Sequence, residues 1–210
     1  MISASRVCIL VVCAVIGGGL TACGDDDAQT ADGGGSDSAG STESGSSAEA
    51  STQIVGGRSV LRLDPQLRKV LDAAHVKIAP AAEASRADNG IALPITAGQL
   101  DIDTPSGTVQ HAGAIEFSAF GRSVRADNLV LRPQDGVVTA RIDGERVSLF
   151  SADVGQPEVI ETSDTVVLPT DVSIGDGAVD ALNDALGAKV FNSGLHIGRL
   201  TASAKQPSAK

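Results

Sequence analysis

Three histidines, three cysteines and a scatter of carboxylates are the side chains of this 210-residue chain most able to do chemistry. Their spacing leaves little of it open. His75, His111 and His196 lie dozens of residues apart, with no second histidine or cysteine at the short spacing a metal site uses. His111 stands in Thr108–Ser118, where Val109, His111, Gly113, Ile115 and Phe117 alternate against Thr108, Gln110, Glu116 and Ser118. That phase turns its imidazole inward, toward a hydrogen-bond partner in the core. His75 ends a helical stripe, where a cation suits the negative helix terminus. His196 falls on the face of its strand opposite Leu195 and Ile197. Asp101, Asp103 and Glu116 lie on polar strand faces, where solvated charge is expected. No Gly-x-Ser-x-Gly, His-Glu-x-x-His or phosphate-cradling glycine loop occurs, so a non-catalytic protein is expected.

Cys23 is the exception. Arg6 precedes the apolar run Val7–Ile16, and Leu20-Thr21-Ala22 supplies small residues for a signal peptidase. The run is too short for a comfortable membrane span. Leu20-Thr21-Ala22-Cys23 resembles the bacterial lipobox, in which the thiol receives a diacylglycerol and the cysteine becomes the first residue. Residues 1–22 then read as a lipoprotein signal peptide. Cys8 and Cys13 leave with it, so no disulfide remains. Two acyl chains hold a protein on a bilayer where one binds only marginally. The expected address is the extracytoplasmic face of the cell membrane, with the membrane as first partner.

Behind the anchor, Gly24–Gln53 carries seven acids and no Lys or Arg among Ser, Gly, Ala and Thr. Such a segment has nothing to bury and reads as a disordered tether, spanning roughly 30 Å on average. One globular domain is expected over 54–202, with a polar tail at 203–210. The chain from Ile54 onward holds fifteen basic and nineteen acidic residues, a net −4. That gives no electrostatic footprint for nucleic acid. Trp and Tyr are absent and only Phe117, Phe120, Phe150 and Phe191 are aromatic. Base-stacking platforms and the aromatic shelves of sugar sites are thereby disfavoured.

The elements that must position these residues are mostly strands. Leu100 and Ile102 alternate ahead of a Pro105-Ser106-Gly107 turn. Val124 and Ala126 alternate in one phase and Leu129 and Leu131 in the other, so Asp127-Asn128 predicts a β-bulge. Pro133–Gly136 is turn chemistry, and Asp143-Gly144 predicts a hairpin between Val138–Ile142 and Val147–Leu149. Glu158–Leu168 and Leu195–Ala202 supply further strands. Asp64-Pro65 starts one helix with the stripe Leu67, Val70, Leu71 and Ala74. Ser173 or Asp176 starts another, with the stripe Val179, Leu182 and Leu186, stopped by Gly187. The expected class is all-β: an antiparallel meander forming a sandwich or open barrel with two short covering helices.

The stretch Ala92–Gly144, with Leu93-Pro94, Gly98, Gly107, His111, Gly113 and Phe117, resembles the middle of the HtaA-type domain of actinobacterial cell-envelope proteins. Ala178–Leu200 is similar to that family's closing helix and glycine-containing strand. The resemblance covers most of Val60–Ser203 and implies an all-β fold at the cell surface. It also implies haem, which members of the family hold through a tyrosine supported by histidine. No tyrosine exists in this chain, so that role does not transfer, and His111 is the residue that could replace it as axial ligand. Without the tyrosine no cofactor is expected. The readings that remain are a binding or interaction module with an envelope-protein partner, a lipid carrier with an apolar cavity, and a haem protein using His111.

Overall fold

The computed structural model describes residues 51–88, 90–160 and 164–207. The signal segment, Cys23 and the tether as far as residue 50 lie outside the described residues. Strand structure starts within the last residues assigned to the tether. β1 (Thr52–Ile54) and β2 (Gly56–Leu63) form one run interrupted at Val55. Both lie antiparallel on the twelve-residue β5 (Gly90–Asp101).

The helix α1 (Pro65–Ala73) follows β2, as Asp64-Pro65 predicts. The Asp64 carboxylate accepts from the Gln66 and Leu67 N–H groups at 2.8 and 3.0 Å, satisfying amides that the first turn leaves open. Leu67 and Leu71 are buried, but Val70 of the expected stripe is 63 % exposed. At 3.6 residues per turn it stands about 100° around the helix from Leu71, beyond the arc the sheet covers.

After β3 (Val76–Ala81) and β4 (Ser85–Ala87), the single strand expected over 108–118 is divided into β6 (Ser106–His111) and β7 (Ala114–Ala119). The break falls at Gly113, whose φ is +83°. A Cβ there would stand 2.4 Å from the Ala84 backbone N, so only glycine serves. Val109, His111, Ile115 and Phe117 stay buried on both sides of the break. In β8 (Arg122–Arg132) the expected bulge is present: register against β9 (Val137–Ile142) slips between Asp127 and Val130. Asp143-Gly144 turns β9 into β10 (Glu145–Val154), both residues at positive φ, the twist that two-residue hairpins favour.

The strand expected over 158–168 separates into β11 (Glu158–Ile160) and the start of β12 (Thr165–Ile174), paired antiparallel. The second helix, α2 (Asp176–Leu186), has Gly175 at its N-cap with no side-chain cap bond, in place of Ser173 or Asp176. A Cβ on Gly175 would meet the Ser148 carbonyl at 2.4 Å, which excludes the usual capping residues. The last strand, β13 (His196–Lys205), continues three residues into the expected tail and buries Ala204.

Eight strands close on themselves in the order β5–β2–β13–β12–β10–β9–β8–β6 and back to β5, every neighbour antiparallel. Of the sandwich and the barrel, the barrel forms, and β6 shuts it by pairing β5 on one edge and β8 on the other. An eight-stranded ring leaves an interior that side chains just fill. Here Leu61, Leu93, Val109, Leu131, Leu149 and Leu168 are fully buried in it. At Gly113 the chain leaves the ring, so β7 pairs the first half of β8 and carries β3 on its other edge. The helix α2 packs across β10, β8 and β7, and Phe191 beyond it meets Phe117 edge-on at 5.6 Å.

Candidate functional site

Two strands and a bulge hold His111 inside the barrel, where it is 5 % exposed. Its Nε2 lies 2.7 Å from Ser59 Oγ on β2, and its Nδ1 lies 3.3 Å from the Leu129 carbonyl on β8. A carbonyl only accepts, so Nδ1 carries the proton and Nε2 accepts from the Ser59 hydroxyl. Leu129 offers its carbonyl because the bulge takes it out of register with β9. Burial pushes the imidazole down to about 4, against a smaller raising effect of the Leu129 hydrogen bond. The ring is therefore a neutral cross-brace among β2, β6 and β8. An open groove of about 380 Å³ beside Ala112, Gly113 and Asn128 touches the residue. Both ring nitrogens are nevertheless engaged, and an iron atom would have to displace Ser59. These surroundings do not fit an axial ligand.

The other expected residues are not gathered around it. Asp101 departs from the solvated strand-face carboxylate expected, because its side chain folds the turn that follows β5. It accepts from the Asp103 and Thr104 N–H groups at 2.9 and 3.1 Å and from the Thr104 hydroxyl at 2.8 Å. The Thr104 N–H first, and its hydroxyl next, hold that carboxyl below its ordinary range. Glu116 is half-buried and lies between Ala79 and Arg125 in the ladder. His196 is exposed on β13, near the Arg199–Asp171 pair, whose contacts are 2.9 and 3.0 Å. Among the described residues no three His, Cys, Asp or Glu side chains cluster as metal ligands would.

A more suggestive arrangement lies at one end of the β7 extension. The β7–β8 hairpin turns on Phe120-Gly121, with φ of +53° and +79°. Asn-Gly is the usual choice there. A side chain bearing a Cβ pays about 1–2 kcal/mol for the left-handed conformation, and this ring is also 64 % exposed. His75, directly after α1, is likewise exposed and left-handed, with φ +55°. Between the two lies an open groove of about 480 Å³ that Lys77 and Arg122 also line, with one carboxylate, Asp72, among them. The Arg122 guanidinium rests against Gly187, where a Cβ would be 2.7 Å from its Nη1. A cation is favourable at that C-terminal end of α2. Backbone strain and exposed apolar surface thus coincide at one spot. Chemically it suits a flat or apolar group that bears acid substituents. The pointer in the sequence was Gly121 three residues after the alternating run to Ser118, masked by a phenylalanine where turn chemistry expects asparagine.

No family model and no curated protein matches this chain. Solved structures do. The C-terminal domain of HtaA from Corynebacterium glutamicum superposes with a TM-score of 0.58 at 12 % identity, over 74 % of this chain and 99 % of that domain. The fold is HtaA-like. The haem-binding protein HtaB of the same organism aligns over 75 % of this chain and 96 % of its own, with a TM-score of 0.49 at 10 % identity. At 12 % identity the first likeness shows the fold alone and no residue role.

Proposed function

We propose that this chain is a membrane-anchored, surface-displayed binding module of the cell envelope. Cys23 would be its lipid anchor, and the groove between His75 and Phe120 its contact surface. The observation that carries this reading is the exposed, left-handed Phe120. A cost in both backbone strain and solvation is sustained at a single rim position, while the barrel interior is filled with side chains, mostly aliphatic, around the His111–Ser59 pair. The filled interior speaks against a lipid carrier with a large internal cavity. An envelope-protein partner would insert an apolar group beside Phe120 and set carboxylates against Lys77 and Arg122. Central, desolvated aromatics surrounded by polar rims are where such interfaces concentrate their energy.

Haem is the second reading, and the same groove favours it over the barrel interior. His75 would supply an accessible imidazole, Phe120 a ring to stack on, and Lys77 and Arg122 partners for the propionates. Haemin titration of the purified chain separates the two. The interaction module shows no one-to-one Soret shift at micromolar concentration, equivalent to binding weaker than about −8 kcal/mol. A saturable shift lost in His75→Ala but kept in His111→Ala would replace it with the haem reading. Photo-crosslinking in intact cells tests the module directly. A benzophenone side chain at position 120 should trap a protein that the same group at position 146, on the β9–β10 hairpin, does not. Equal trapping at both positions would refute the assignment of the surface.

A further inference from the structure

The strands β3 and β4 follow one another through a three-residue turn, yet they do not pair. The Ala84 N–H donates to the Ala81 carbonyl at 3.1 Å to close that turn, and the Ala84 backbone is pressed against Gly113. From there β3 joins β7 and β4 joins β5, each paired on one side only among the described residues. Two strand edges thus diverge from a pinned turn. The wedge between them is a groove of about 550 Å³, floored by Leu71, Val76, Ile78 and Ile91.

The phase of β3 shows what its edge presents. In the two-residue β7–β8 hairpin the closing pair Ala119–Arg122 is hydrogen-bonded, so Ala119, Phe117 and Ile115 direct their backbone groups to β8. Ser118, Glu116 and Ala114 must then serve β3, through Lys77, Ala79 and Ala81. This leaves the N–H and C=O of Val76 and Ile78, and the C=O of Pro80, directed into the groove. Pro80 agrees with that phase, since a proline within a sheet is tolerated where its missing donor faces an open edge. The groove therefore offers a row of backbone donors and acceptors above an apolar floor.

Its rim is basic in a domain that is net acidic. Arg68, Lys77 and Arg86 border it, against the single carboxylate of Asp72. The geometry points to a strand-docking site: the groove takes an extended, acidic peptide segment of a partner protein as an added β-strand on β3. Backbone pairing supplies affinity, apolar residues on alternate positions reach the floor, and carboxylates meet the rim. This inference rests on the binding-module reading and deepens it by naming a partner chemistry; it shares Asp72, Val76 and Lys77 with the neighbouring groove but uses neither Phe120 nor Arg122.

The test uses an acetylated Glu-Val-Glu-Thr-Glu-Val-Glu amide and its counterpart with lysine at every glutamate, each titrated into the purified chain. Amide hydrogen exchange is followed residue by residue. The glutamate peptide should slow exchange at Val76 and Ile78 and bind about tenfold or more tighter than the lysine peptide. Arg86→Glu, at a residue that lines this groove and not the Phe120 surface, should remove that preference. Ile78→Pro should abolish protection of Val76 by either peptide while leaving the circular dichroism spectrum unchanged, because the lost N–H faces away from β7. Equal binding of the two peptides, a preference untouched by charge reversal, or protection at β11 in place of β3 would overturn the proposal. A negative result here beside intact crosslinking at position 120 removes the groove alone. Failure of both removes the module reading as well.

Discussion

Lowering the pH from neutrality should destabilise this protein through one residue before the carboxylates contribute. His111 is neutral and buried in the folded chain, with its titration pushed down to about 4, whereas in the unfolded chain it protonates near 6.5. The unfolded state therefore binds the extra proton between these values, and stability rises with pH across that window. Above about pH 6.5 the contribution is whole, and toward pH 4 it is progressively lost. The interval corresponds to about 3 kcal/mol, at roughly 1.4 kcal/mol per pH unit. The carboxyls of Asp64, Asp101 and Asp171 are all held below their ordinary value of 3.8, so their contributions are lost only at lower pH. Urea denaturation at half-unit steps from pH 7.5 to 4.5 measures the effect. Far-UV circular dichroism must report it, since the chain has no Trp or Tyr. His111→Asn should be less stable at pH 7.5 and should lose most of the slope between 6.5 and 4.5. Parallel loss of stability in wild type and variant would refute the assignment of that slope to His111.

Phe117→Ala should cost about 3–5 kcal/mol in the same denaturation assay, since its ring is fully buried against Phe191. Glu116→Ala should cost under about 0.5 kcal/mol; comparable losses at both sites would contradict the observed strand phase. Phe120→Asn should raise stability by about 1 kcal/mol by relieving the left-handed turn, and should at the same time abolish crosslinking from a probe placed at position 75. Cys23→Ser should move the protein from the membrane pellet to the soluble fraction, with mass spectrometry reporting whether the signal was removed.

Features written in a few adjacent residues were legible from the sequence, and those that depend on distant partners were not. The Asp64-Pro65 start of α1, the Asp127-Asn128 bulge and the Asp143-Gly144 hairpin each rest on local backbone preferences, and each is present. Ring closure depends on β6 meeting both β5 and β8, a pairing that no local pattern states. The division at Gly113 is equally non-local, because its cause is the Ala84 backbone some thirty residues earlier. The inward phase of His111 could be read from alternation, but its Ser59 partner lies 52 residues away. Phe120 stayed hidden for the opposite reason: it breaks the turn preference that would have announced the hairpin. Val70 shows a further limit, since helical periodicity locates a stripe without saying how wide an arc the sheet will cover.

The position of β1 also has a mechanical consequence. Any pull on the chain ahead of Ser51 arrives first at Thr52, the start of a strand laid antiparallel along Leu100, Gln99 and Gly98. The load then passes through Val55 into β2, which is held on one side by β5 and on the other by β13 over eight residue pairs. Tension along that axis strains the ladder bonds together, in shear, instead of parting them one after another from an end. The first segment of the domain is thus a grip suited to bearing force, and the weakest point under tension is the short β1–β5 pairing ahead of Val55. Its detachment would lengthen the lead to the barrel by a few residues while the closed ring stayed intact.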